Sequence, residues 1–192
     1  MGNRFRVVTI VLGSTVLFAG CAPAPALGPV GQAHEQAVTT VISAAKNFGL
    51  GGGDFRRYCG SLGAQCTDSD NFQSSNLVVD PGSDDALMCT AFFGLARDIG
   101  ATWWRRDLHP DEPLTNPDLA AGESACIESL GVNSAEGNTG QSESVIVGGV
   151  IDTEAGTSGY VMQINSVSHP EGAADVDRGY FFTVTSTDEV IK

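Results

Sequence analysis

The spacing of apolar residues changes period part-way along this chain of 192 residues, and that change limits the fold more than any other feature. Val38, Val41, Ile42, Ala45 and Phe48 recur at helical spacing. Met88, Phe92, Leu95, Ile99 and Trp103 do the same, in steps of 4, 3, 4 and 4 that place them on one stripe. Beyond residue 144 the period shortens to two. Tyr160, Met162 and Ile164 alternate with Val161, Gln163 and Asn165, and Tyr180, Phe182 and Val184 alternate with Phe181, Thr183 and Thr185. Helical stripes need an apolar surface to cover, and successive strands with short links pair antiparallel. The pattern therefore predicts an α+β domain, with a helical N-terminal half packed on a C-terminal antiparallel meander.

Punctuation residues supply the expected boundaries. Gly49 stops the first helix, and Asp54 caps a short helix through Tyr58 to Leu62 that ends at Gly63. Leu77-Val78-Val79 is a short extended run. Ser83 caps the helix that carries the Met88–Trp103 stripe, with Asp84 and Asp85 in its first turn and Arg105 and Arg106 near its last. Asn116-Pro117 opens a further helix that runs to Leu130 and stops at Gly131. Val145 to Ile151 is the first strand of the meander, and Thr153 to Gly159 a turn. Helices first and a meander last resemble the NTF2-like or cystatin-like architecture. Such folds carry enzymes, carriers and assembly modules, so the resemblance implies a shape and no activity.

The amino terminus implies export. Arg4 and Arg6 precede an uncharged apolar run of 13 residues, Val7 to Ala19. A bilayer span takes about 20 residues and a signal core about 7–15, so the run reads as a signal peptide. It ends in Leu17-Phe18-Ala19-Gly20-Cys21, which resembles the lipobox of bacterial lipoproteins. The resemblance implies cleavage before Cys21 and a diacylglycerol on its sulfur, with the protein held on the extracytoplasmic side of the cell membrane. Residues 1–20 are then the signal peptide, 21–31 an Ala/Pro/Gly tether and 32–192 a single domain. Cleavage takes Arg4 and Arg6 and no acid. The 10 bases and 23 acids of the whole chain become 8 and 23, and a body this acidic is not expected to bind nucleic acid.

Four cysteines remain: Cys59, Cys66, Cys89 and Cys126. An even number in an exported chain points to two disulfides, and three pairings are open. Cys59–Cys66 closes a short Gly-containing loop, and Cys89–Cys126 joins two expected helices; these are the favoured pairs. Their intervals of 7, 23 and 37 residues, without a C-x2-C pair, do not suit zinc.

No catalytic set emerges from the motifs. Ser43-Ala44-Ala45-Lys46 and Ser69-Asp70-Asn71 resemble two signatures of penicillin-interacting serine enzymes, but no third Lys motif follows and the two lie only 26 residues apart. Ser43 and Lys46 then read as the solvent side of the first helix. His34, His109 and His169 are scattered and read as surface or capping residues. Gly49 to Gly53 lacks the sequel of a phosphate loop. Asp68 and Asp70 lack the Gly and Glu of a calcium loop, and Asp152, Glu154, Glu171, Asp175 and Asp177 read as solvated acids.

Trp103-Trp104-Arg105-Arg106 is the most unusual run. On a helix, one ring joins the apolar stripe and its neighbour points elsewhere, into the core or outward as an anchor for a partner. These four residues are the expected partner-binding candidates. The function read from the chain is a lipid-anchored envelope module that binds a protein or cell-wall component, without cofactor, metal or catalytic residues. A carrier of small apolar ligands, with its pocket between the meander and the Met88 helix, is the alternative, and a serine hydrolase comes third. The hydrolase reading requires a Ser, a His and an acid to converge within hydrogen-bond reach.

Overall fold

A computed structural model of the chain describes residues 27–51, 56–59, 72–78, 84–107, 115–135, 144–168 and 178–188. Helix α1 spans Pro29–Ala45 and passes into a 3-10 turn, Lys46–Phe48, closed by Gly49. It starts inside the stretch expected to be tether. Pro in the first turn loses no hydrogen bond there, and its fixed φ suits the helix. The apolar positions Ala37, Val38, Val41 and Ala45 are buried, while Ser43 and Lys46 face solvent as expected.

Strands β1 (Arg56–Cys59) and β2 (Phe72–Val78) follow, so the first half is not purely helical. The helix expected over Tyr58–Leu62 is contradicted at its start: Arg56–Cys59 pairs antiparallel with β2, Tyr58 opposite Gln73. A partner strand distant in sequence outweighs the weak local helix signal.

Helix α2 covers Asp85–Asp98. Its cap is Asp84 rather than Ser83, with a carboxylate oxygen accepting from the Leu87 N–H at 2.7 Å. The helix stops well before Trp103. Gly100 adopts φ 72°, a left-handed conformation that costs glycine little, and Trp103–Arg106 continues as strand β3. Trp103 therefore leaves the stripe of Met88, Phe92 and Leu95. Helix α3 runs Leu119–Ala135, past Gly131, and its capping group is Asp118, whose Oδ1 accepts from Ala120 N at 3.0 Å and Ala121 N at 3.2 Å. The chain ends in β4 (Val145–Thr153), β5 (Gly156–Ser168) and β6 (Arg178–Thr187), the expected meander. The turn between β4 and β5 is tighter than the residues 153–159 expected for it.

The six strands form one antiparallel sheet in the order β1-β2-β6-β5-β4-β3. The register carries Trp104, Val147, Met162 and Val184 across one face, with Tyr160, Ile164, Tyr180 and Phe182 beside them. All are buried, and α1, α2 and α3 pack on that face. Phe92 of α2 meets Phe182 of β6 edge to face, ring centroids 6.2 Å apart, and meets Phe93 at 5.5 Å. Burying each such ring contributes about 1.5–3 kcal/mol, and the edge-to-face geometry adds about 0.5–1.5 kcal/mol.

Cys89 and Cys126 form a disulfide between α2 and α3, with Cα atoms 5.8 Å apart, the pairing favoured because it joins two expected helices. Beside it, Thr90 Oγ1 and the Arg97 guanidinium donate to the Glu123 carboxylate. Burial pushes that carboxyl upward. The hydrogen bonds from Arg97 and Thr90 and the Arg97 charge outweigh it, leaving Glu123 below the ordinary range. The favoured Cys59–Cys66 pair involves Cys66, which lies outside the described residues, as does Cys21.

Candidate functional site

His34 lies one turn before Val38 on the buried face of α1, and is 2% exposed. It is not the surface residue the sequence suggested. The sheet register explains what it meets. Gly159 of β5 stands opposite Thr187 of β6, so the next residues outward, Ser158 and Asp188, flank one point on the helix-facing side. The imidazole fills that point. Nδ1 lies 2.8 Å from Ser158 Oγ, and Nε2 lies 2.9 Å from Asp188 Oδ1.

A Ser, a His and an acid thus converge, and proton accounting limits what they do. The Ser158 hydroxyl also reaches the Gly159 carbonyl at 2.9 Å, and it has one proton to donate. If it donates to Gly159, Nδ1–H donates to Ser158, and a doubly protonated ring serves Asp188 as well. If it donates to Nδ1, the neutral ring keeps Nε2–H for Asp188. In both arrangements the Asp188 carboxylate is held. Ser158 itself is 2% exposed and points toward the helices, so its hydroxyl presents no attacking group to solvent. Asp188, by contrast, has a side chain 70% exposed.

The carboxylate and ring open on a cleft of 270 Å³. Pro29, Val30 and Ala33 form its apolar wall, and Gly156, Thr157 and Thr187 the wall from the sheet. Gln36 Oε1 accepts from the Ala155 N–H at 3.2 Å and so fixes the β4–β5 turn against α1. On the other side of that turn a more open groove of 540 Å³ carries Glu35, Asp152 and Glu154. Among the described residues, neither hollow has a Lys or Arg in its wall. Asp152 accepts from Thr157 Oγ1 at 2.7 Å, and among the described residues no three His, Cys, Asp or Glu side chains are grouped to hold a metal.

The partner-binding candidates lie elsewhere, on β3 at one edge of the sheet. Trp104 is 5% exposed and donates from Nε1 to the Asp118 carbonyl at 2.7 Å. Its backbone exchanges two hydrogen bonds of 2.8 Å with Asn116, which covers the strand edge there. Trp103 is 6% exposed and lies flat over Gly148, where a Cβ would come 2.2 Å from the ring. Both indoles are therefore buried, Trp104 on the helix-facing side of the sheet and Trp103 on the other, and neither is the exposed anchor that one reading of the sequence allowed. Arg106 lies 3.9 Å from Glu128, and Arg105 is half-buried with no hydrogen-bond partner at Nε. These two residues sit on a strand, not at the end of a helix as expected.

The space in which an apolar carrier would hold its ligand is lined by Met88, Phe92, Met162 and Phe182, all buried, with the two Phe rings in contact. His109, His169, Ser69–Asn71 and the acids at 171, 175 and 177 lie outside the described residues. The chain matches no family model, no curated protein and no solved structure.

Proposed function

We infer that this chain is a lipid-anchored, non-catalytic binding module of the cell envelope, and that its ligand site is the cleft between the start of α1 and the β4–β5 turn. One observation carries the reading. The cleft displays a carboxylate held in place by a buried histidine, while the Ser158 hydroxyl that meets the same ring is sealed beneath it. Fixed polar groups in a part-apolar hollow give selective binding without requiring chemistry. The Cys21 lipobox supports placement at the membrane, and the Cys89–Cys126 disulfide suits an oxidising compartment.

Mass spectrometry of the mature protein tests the anchoring: the amino terminus should be Cys21 bearing diacylglycerol, and an unmodified terminus refutes it. Affinity capture with crosslinkers placed at Val30 tests the site, and crosslinks that cluster on the opposite sheet face refute it.

The convergence of Ser158, His34 and Asp188 favours the hydrolase as a second reading. That reading requires a serine-directed covalent probe to label Ser158 in the folded protein. The 2% exposure of Ser158 argues that labelling appears only on unfolding.

A further inference from the structure

We propose that the cleft beside His34 binds a primary alkylammonium group, its charge on Asp188 and its carbon chain against Val30 and Ala33. The proposal rests on the reading of this cleft as a ligand site and adds the chemistry of the ligand.

Asp188 Oδ1 is engaged by His34 Nε2, and Oδ2 has no protein partner among the described residues. The histidine is locked in turn by Ser158, so the carboxylate is held at the mouth rather than sweeping through solvent. Such preorganisation lowers the ordering cost of a charge-assisted hydrogen bond. Beside it stands Val30, an apolar side chain 51% exposed. Among the described residues Asp188 is the one carboxylate in the cleft wall and no Lys or Arg lines it, while Glu35, Asp152 and Glu154 line the groove across the β4–β5 turn, so the local field favours a cation over an anion. A volume of 270 Å³ equals about nine water molecules at ~30 Å³ each, enough for an ammonium with a short chain and too small for a protein segment of any length. An alcohol satisfies the hydrogen bond and leaves the charge unmatched, which is why the amine is the better occupant.

Two sources supply such a group: a free amine, or the headgroup of an aminophospholipid in the same membrane. The eight peptide steps from Cys21 to Pro29 span at most about 26–29 Å, so a lipidated Cys21 keeps the mouth within reach of headgroups.

The test titrates pentylammonium and 1-pentanol at pH 7 against the mature full-length chain in phosphatidylcholine nanodiscs. Pentylammonium should bind saturably and pentanol at least tenfold more weakly. Asp188→Asn should weaken the amine at least tenfold, and Glu123→Gln, in the α2–α3 contact, should leave it unchanged. Val30→Lys, at an exposed position, should also abolish amine binding and stands in if Asp188→Asn fails to fold. Equal affinity for the alcohol, an unaltered titration in both site variants, or no saturable binding overturns the proposal. In nanodiscs containing phosphatidylethanolamine, a weaker apparent affinity supports the headgroup as occupant, and an unchanged one supports a soluble amine. Crosslinks captured from Val30 without saturable amine binding overturn the amine and leave the cleft a ligand site, so the two readings fail separately.

Discussion

Replacing Gly122 by Ala sets two well-measured effects against each other. Gly122 lies inside α3, where Ala is favoured by about 1 kcal/mol on helix propensity alone. The added Cβ would stand 2.5 Å from Phe93 Cε1, 2.7 Å from Phe93 Cζ and 2.8 Å from Trp104 Cδ2. Both rings are buried, and Trp104 is tied to the Asp118 carbonyl, so neither swings aside freely. Forcing a methyl into a filled core costs about 1–3 kcal/mol, and three contacts below 3 Å place this site in the upper half. The net loss is about 1–2 kcal/mol, which lowers Tm by about 2–8 °C in a domain of this size. Thermal and urea unfolding of the oxidised mature chain measure it. Phe93→Leu removes the two nearest ring atoms, so the double variant should lose less than the sum of the single losses. A Gly122→Ala protein as stable as the parent, or more so, refutes the packing of Phe93 and Trp104 around this glycine.

Two further outcomes follow from the same geometry. Removing the Cys89–Cys126 link with Ala at both positions frees a loop with a sequence separation of 37, worth about 4 kcal/mol by chain entropy. Tm should fall by about 8–16 °C; non-reducing peptide mapping should recover the 89–126 pair in the parent, and a Tm change under about 4 °C refutes the staple. Burial pushes the Tyr160 phenol far above its ordinary value. Below about pH 10 both folded and unfolded forms hold the proton, and above it the unfolded chain releases it first, so stability should decline with rising pH. Tyr160→Phe should flatten that slope, and tyrosinate absorbance from Tyr160 in the folded protein at pH 11 sinks the argument.

Periodicity in the chain was enough to specify α+β, the α1 stripe, the α2 stripe as far as Leu95 and strands β5 and β6, while β4 was legible as a β-branched apolar run. Those features depend on residues within one or two turns of each other, and the side-chain period reads them directly. The Cys89–Cys126 bond was favoured among the three open pairings because both cysteines fall on expected helices, and it is present. Some of the candidate site was legible too. His34 precedes Val38, Val41 and Ala45 at helical spacing, a signal that it faces inward, although its residue type suggested a surface position.

Local sequence decided the type of most elements, because a stripe or an alternation needs only its own neighbours to declare itself. Three things it left to the assembled chain. Strands β1 and β3 exist because β2 and β4 offer them backbone partners, which overrides a helical stripe at Trp103. Trp104 turns onto the helix-facing side against α3, while Trp103, on the opposite face of β3, is buried over Gly148. His34 gains Ser158 and Asp188 only through the β5–β6 register, at separations of 124 and 154 residues. Contacts of that range are set by strand pairing and helix docking, where no spacing along the chain records them.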